Sequence, residues 1–201
     1  MDEKDVWNAT QLMQISADLS VYRQTLAYAL GNLVIMAIIS SSLIIVESLF
    51  DLIWIFLVFW AIVSIFAIMV HIYVFRHVFR RIKLGLWVIV YPAIITIGYV
   101  INYIFANPVS VHFLWFPLLG ISSLIVGLTA EQYHFSRNML FTRPILLLGI
   151  ALLVTSPIVF LVLSLLPGEP NVFLTPGIAL ILASLSTSYS MYQAEKKVVS
   201  K

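Results

Sequence analysis

Six runs of about twenty residues without Asp, Glu, Lys or Arg limit what this chain can fold into more tightly than any other feature. They extend from Thr25 to Val46, Leu52 to Phe75, Leu84 to Phe105, Val109 to Ala130, Pro144 to Leu166 and Val172 to Tyr192. A bilayer's hydrocarbon core is about 30 Å thick, and a helix rising about 1.5 Å per residue crosses it in about 20 apolar residues. Lipid offers no partner to a backbone N–H or C=O, so a run of this length must pair its own backbone as a helix. The sequence predicts an all-α, polytopic membrane protein with six transmembrane helices. Only 10% of its 201 residues are charged, against about a quarter in an average soluble domain, so water is not the main solvent.

The joints at Glu47–Asp51, Ala106–Pro108 and Pro167–Asn171 are too short for anything but an antiparallel return, which predicts three hairpins in series. Orientation follows from the excess of Lys and Arg in cytoplasmic loops. With the N-terminus inside, Lys4, Arg23, Arg76, Arg80, Arg81, Lys83, Arg137, Arg143, Lys196, Lys197 and Lys201 all fall on the cytoplasmic side. The outer joints carry only Glu47, Asp51 and Glu169. An odd number of spans would scatter the cations across both faces, so an even number with both ends inside the cell membrane is expected. Tyr22, Tyr73, Trp87, Tyr133 and Tyr192 fall at inner ends and Tyr103 and Trp115 near outer ends, where an apolar ring meets wet headgroups. Trp60 and Tyr99 are expected to pack between helices.

Residues 1–24 read as an amphipathic helix lying in the inner interface or docking on a partner. Leu12, Ile15, Leu19 and Tyr22 follow one another at steps of three, four and three. Met13, Ala17 and Val21 make a second apolar row that weakens the contrast. The transmembrane domain is expected over 25–193 and a short basic cytoplasmic tail over 194–201. The acidic start, with Asp2, Glu3 and Asp5, lacks the basic-then-apolar order of a cleavable signal, so the first span is expected to direct insertion. Shifting the second hairpin onto the third matches Pro108 with Pro167 and Pro117 with Pro176. Equal hairpin lengths explain as much, and an internal repeat stays open.

Chemistry inside a membrane usually announces itself by ionisable groups within the spans. Here every Asp, Glu, Lys and Arg falls at or beyond a predicted boundary, which leaves His71 and His112, apart from Tyr, as the titratable side chains within. A lone His in such a place is more often bonded to a neighbouring helix than catalytic, and the paired groups that acid–base or nucleophilic catalysis needs are missing. The absence of Cys removes thiol chemistry and thiolate metal sites. No phosphate loop or metal-ligand spacing is present, so no cofactor is expected.

Asn32, His71, Asn102, Ser184 and Ser188 are the candidate intramembrane polar contacts, because an amide or hydroxyl in lipid seeks a partner on another helix. Ser184 with Ser188, Ala27 with Gly31 and Ser123 with Gly127 form small-residue pairs at helical spacing that permit close approach. Pro92, Pro117, Pro157 and Pro176 place one proline in each of the last four spans, which predicts local loosening and room for a cavity. At the inner rim, Arg76, Arg80, Arg81, Lys83, Arg137 and Arg143 are candidate contacts for anionic lipid headgroups, with His77 and His134 beside them.

These observations predict a non-enzymatic membrane protein that works by association, with the bilayer and other membrane subunits or copies of itself as partners. A transporter, or its substrate-binding subunit, with a cavity among the proline-containing helices is the alternative; a lipid-modifying enzyme ranks behind both. The net charge of +2 gives no basis for nucleic-acid binding.

Overall fold

A chain with no Pro before Pro92 and no Gly before Gly31 has nothing to stop its first helix, and in the computed structural model that helix runs far. The structure describes residues 3–49, 87–104, 111–165 and 171–200, together with positions 62, 65 and 69. Helix α1 (Glu3–Leu49) has 47 residues. It is followed by α2 (Trp87–Ile104) and α3 (Val111–Val126). A π-helical turn (Gly127–Glu131) joins α3 to α4 (Gln132–Ser136), and α5 (Pro144–Leu165) and α6 (Asn171–Val199) complete the order. No strand occurs among the described residues.

The helices pack antiparallel, as their contacts run in opposite senses along the chain. Between α3 and α5, Gly120 meets Leu152 and Leu153, Gly149 meets Ser123 and Leu124, and Gly127 meets Leu146. The approach is backbone to backbone: a Cβ on Gly149 would stand 2.6 Å from the Leu124 nitrogen, and one on Gly127 would stand 2.6 Å from the Leu146 Cα. Between α2 and α3, the Tyr91 hydroxyl donates to Ser123 Oγ at 3.1 Å, and Gly98 lies under Leu118. Along α1 and α6 the Thr187 hydroxyl donates to the Ala29 carbonyl at 3.3 Å. Thr25, four residues nearer the N-terminus, and Lys197, ten residues nearer the C-terminus, both reach Phe141. The start of α1 and the end of α6 therefore run to the same end of the packing.

The main core joins Met36 and Ile39 of α1, Ile95 and Tyr99 of α2, Trp115, Phe116 and Leu119 of α3, Leu148 and Leu152 of α5, and Ala179 and Ala183 of α6. A smaller cluster of Tyr28, Val126, Leu140 and Ile145 lies toward the 137–143 turn. The surface outside the core is also apolar: on α5, Ile150, Val154, Ile158, Phe160 and Leu161 are all exposed. A helix apolar on every side has no stable position in water. Four described helical stretches, Asp5–Ser41, Phe113–Ser136, Pro144–Leu165 and Phe173–Val199, are long and apolar enough to cross a membrane, and Ala93–Asn102 is a shorter apolar helix.

Several expectations change. Residues 1–24 and the first span are not separate helices: α1 passes through 24–25 without a break and extends about 70 Å, more than twice the hydrocarbon thickness. The span predicted to end at Ala130 continues helically to Ser136 through the π-turn, and α6 continues through the predicted tail to Val199. Trp115 is 1% exposed, edge-on to Phe116 in the core rather than at an interface. The four prolines lie within continuous helices. Just before Pro157, the Thr155 and Ser156 hydroxyls donate to the Ala151 and Leu152 carbonyls at 2.7 Å, polar partners inside the helix where proline interrupts the ladder. The predicted second span, Leu52 to Phe75, lies outside the described residues except for Ile62, Ile65 and Met69, as do the connections at 106–108 and 167–170.

Candidate functional site

Where α3 gives way to α4, the backbone widens into the π-turn, and the Gln132 N–H reaches Gly127 O. The Thr129 hydroxyl donates to the Ile125 carbonyl at 2.7 Å beside this interruption. Single π-turns of this kind concentrate at functional sites. The helical run ends at Arg137, and Asn138 takes a left-handed φ of 54°. Its N–H donates to Phe135 O at 3.1 Å, and the Met139 N–H donates to His134 O at 3.0 Å, which is the Schellman arrangement that closes a helix.

That closure turns the chain back so that α5 starts beside the end of the π-turn. Pro144 leads α5, where its missing N–H costs nothing. The next two N–H groups point at one side chain: Ile145 donates to Glu131 Oε1 at 3.0 Å and Leu146 to Oε2 at 2.8 Å. A carboxylate here satisfies two of the orphaned donors of a helix start and meets the positive end of its dipole. Glu131 is 0% exposed. Tyr28 of α1, Tyr91 of α2 and Arg143 of the turn lie within its electrostatic reach.

Cations lie on the rings and the turn that follow this acid. The Arg143 guanidinium donates to Gln132 Oε1 and lies 5.0 Å from the centre of the Phe135 ring. The Lys197 ammonium lies 5.3 Å from the same ring and donates to the Phe141 carbonyl at 2.8 Å. Arg137 sits over Tyr133 at 4.7 Å. The Phe141 N–H donates to Thr25 Oγ1 at 3.0 Å, so α1 and α6 hold both polar groups of one turn residue. Chemically, the carboxylate has both oxygens engaged in holding α5, whereas the cations retain N–H donors for an anion.

Of the residues singled out in the sequence, Arg137 lies over Tyr133 and Arg143 over Phe135, at either end of this turn. Arg76, Arg80, Arg81, Lys83 and His71 lie outside the described residues. Asn32 is buried, and its Nδ2 has no hydrogen-bond partner among the described residues; the same holds for Asn102 Oδ1 on α2. The Ser184 hydroxyl turns back to its own helix, donating to Leu180 O at 2.9 Å, and Ser188 is exposed. Ser123 and Gly127 instead mark the tightest helix approach.

Glu131 was not singled out, since it lies one residue beyond a predicted boundary. Thr25, Tyr91, Phe135, Phe141 and Lys197 were missed as well. A Glu thirteen residues before a Pro that opens an apolar run was the available signal for the cap, and it becomes readable only once the intervening turn is known.

The fold and its apolar exterior define an all-helical chain of the class compatible with membrane insertion. In comparisons with protein-family models, curated proteins and solved structures, nothing matches the chain.

Proposed function

We propose that this is a non-enzymatic integral membrane protein with six spans and both ends in the cytoplasm, working as a subunit or accessory factor of a larger membrane complex. The observation that carries the association is the length of α1. Only about 20 of its 47 residues are needed to cross the hydrocarbon, so the part before Thr25 stands outside it. That part exposes Trp7, Leu12, Met13 and Ile15, each more than half exposed. Large apolar side chains on a projecting helix are the usual material of a helix-in-groove contact. The use of Glu131 as a cap, rather than as half of a reactive pair, supports a role without catalysis. The one-sided placement of all eleven Lys and Arg residues supports the even number of spans, and the meeting of Thr25 and Lys197 at Phe141 supports a common side for both ends.

Two measurements test the proposal. The chain has no Cys, so Asn8→Cys, Ser136→Cys and Ser200→Cys each add one unique thiol. All three are expected to react with an impermeant reagent only from the cytoplasmic face, and Ser48→Cys and Gly168→Cys only from the other; labelling of Asn8→Cys and Ser200→Cys from opposite faces ends the six-span reading. The mass of the particle in mild detergent is expected to exceed that of one chain by a defined partner, and a lone chain with no partner would overturn the subunit role.

A small-solute transporter subunit is the second reading, favoured by the buried polar atoms Asn32 Nδ2, Ser40 Oγ and Trp115 Nε1, which have no partner among the described residues. A solute retained through purification would favour it over the first.

A further inference from the structure

Two cations from distant parts of the chain share one aromatic ring. Arg143, at the start of α5, and Lys197, near the end of α6, approach Phe135 to 5.0 Å and 5.3 Å. Two like charges drawn to one ring repel, and the ring's quadrupole offsets only part of that cost. No carboxylate among the described residues makes an ion pair with either. Glu131 is within electrostatic reach of Arg143, but both its oxygens accept backbone N–H groups of α5. Each cation has donors to spare: Arg143 spends one on Gln132 and Lys197 one on Phe141, out of the five and three such groups carry.

The helices that carry this pair and its ring expose apolar residues. Ile121 and Leu128, seven positions apart on the run that leads to Phe135, are both exposed. On α6, Leu185, Tyr189 and Tyr192 are exposed below Lys196 and Lys197. A ligand that satisfies both features carries a negative head and a hydrocarbon tail, and the head lies at the end of the helices where the tyrosines mark the interface.

We propose that Arg143 and Lys197, both beside the Phe135 ring, hold the phosphate of an anionic phospholipid whose chains lie against the exposed apolar residues of α6 and of the α3–α4 run. The inference rests on the membrane-spanning reading and not on the complex-subunit one. Phosphate binds both cations at once, which removes their repulsion, and the ring keeps both side chains oriented toward it.

The test is retention of lipid by the full chain extracted in mild detergent, read by native mass spectrometry with phosphatidylglycerol, phosphatidylcholine or inorganic phosphate added. Recovery of the protein in the membrane fraction is measured first, so that failure of membrane insertion is told apart from failure of the site. Phosphatidylglycerol is expected to bind in preference to phosphatidylcholine. Lys197→Gln is expected to weaken it about fivefold, the effect of one basic charge at the surface. Lys197→Arg restores it, and Lys4→Gln, more than twenty positions away along α1, leaves it unchanged. Arg143→Gln combined with Lys197→Gln lowers retention further; should that variant fold poorly, the Lys197 pair of variants still decides. Equal binding of the two lipids, or unchanged retention in Lys197→Gln, overturns the proposal. Displacement of the lipid by inorganic phosphate alone would make the ligand a soluble anion and overturn the lipid assignment.

Discussion

The Leu146 N–H donates to Glu131 Oε2 at 2.8 Å, so a side chain at the end of one helical run fastens the beginning of the next. Replacing Glu131 by Ala leaves two buried N–H groups without acceptors, at about 1–3 kcal/mol for each. Glu131→Ala is expected to lower the unfolding midpoint in detergent markedly, and Glu131→Gln, which keeps one acceptor oxygen, to fall between it and the parent. Unchanged midpoints for both variants would show that the cap does not hold α5.

Three glycines should respond differently to the same added methyl. In Gly127→Ala and Gly149→Ala the new carbon would lie 2.6 Å from backbone atoms of the facing helix, so α3 and α5 must separate. At Gly177 the added carbon would meet nothing within 4 Å beyond its chain neighbours and its own helix backbone, and Ala there gains about 0.5–1 kcal/mol from helix propensity. Thermal unfolding of the three variants is expected to order them as Gly177→Ala at or above the parent and the other two well below it.

Asn138 has φ of 54°, which costs a residue with a Cβ about 1–2 kcal/mol and a branched one more. Asn138→Gly is expected to keep or raise stability, and Asn138→Val to lower it. A Val variant as stable as the Gly one would rule out the left-handed closure after Arg137.

Thr25→Val removes the acceptor of the Phe141 N–H while preserving shape, at about 1–3 kcal/mol. Limited proteolysis within residues 137–143 is expected to speed up in Thr25→Val and to stay at the parental rate in Thr25→Ser. Equal cleavage in both would mean that α1 does not restrain the turn.

The helical class was legible in the sequence because an apolar run of span length has few alternatives to a helix. Hydropathy marks where lipid begins and ends, however, and a helix need not stop there. Gln24 and Thr25 look like a boundary by polarity, yet no Gly or Pro stands nearby and α1 continues. Ala130 misled in the same way, because the polar residues after it still hydrogen-bond helically. The burial of Glu131 was hidden for a different reason. Its partners are backbone N–H groups, which every sequence has, and only the Asn138 closure aims them. Phe135 and Lys197 meet across sixty-two positions of chain through a ring–cation contact that has no periodic signature.

An unbroken α1 also has a mechanical meaning. Thr25 and Ala29, where it is tied to the turn and to α6, divide it into an N-terminal arm of roughly twenty residues and a C-terminal one of similar length. A rod fastened near its middle is a lever. Tilting its N-terminal tip by contact with another molecule swings Met36 and Ile39 against the buried face of the bundle by a comparable distance, with only Gly31 between them to absorb the motion.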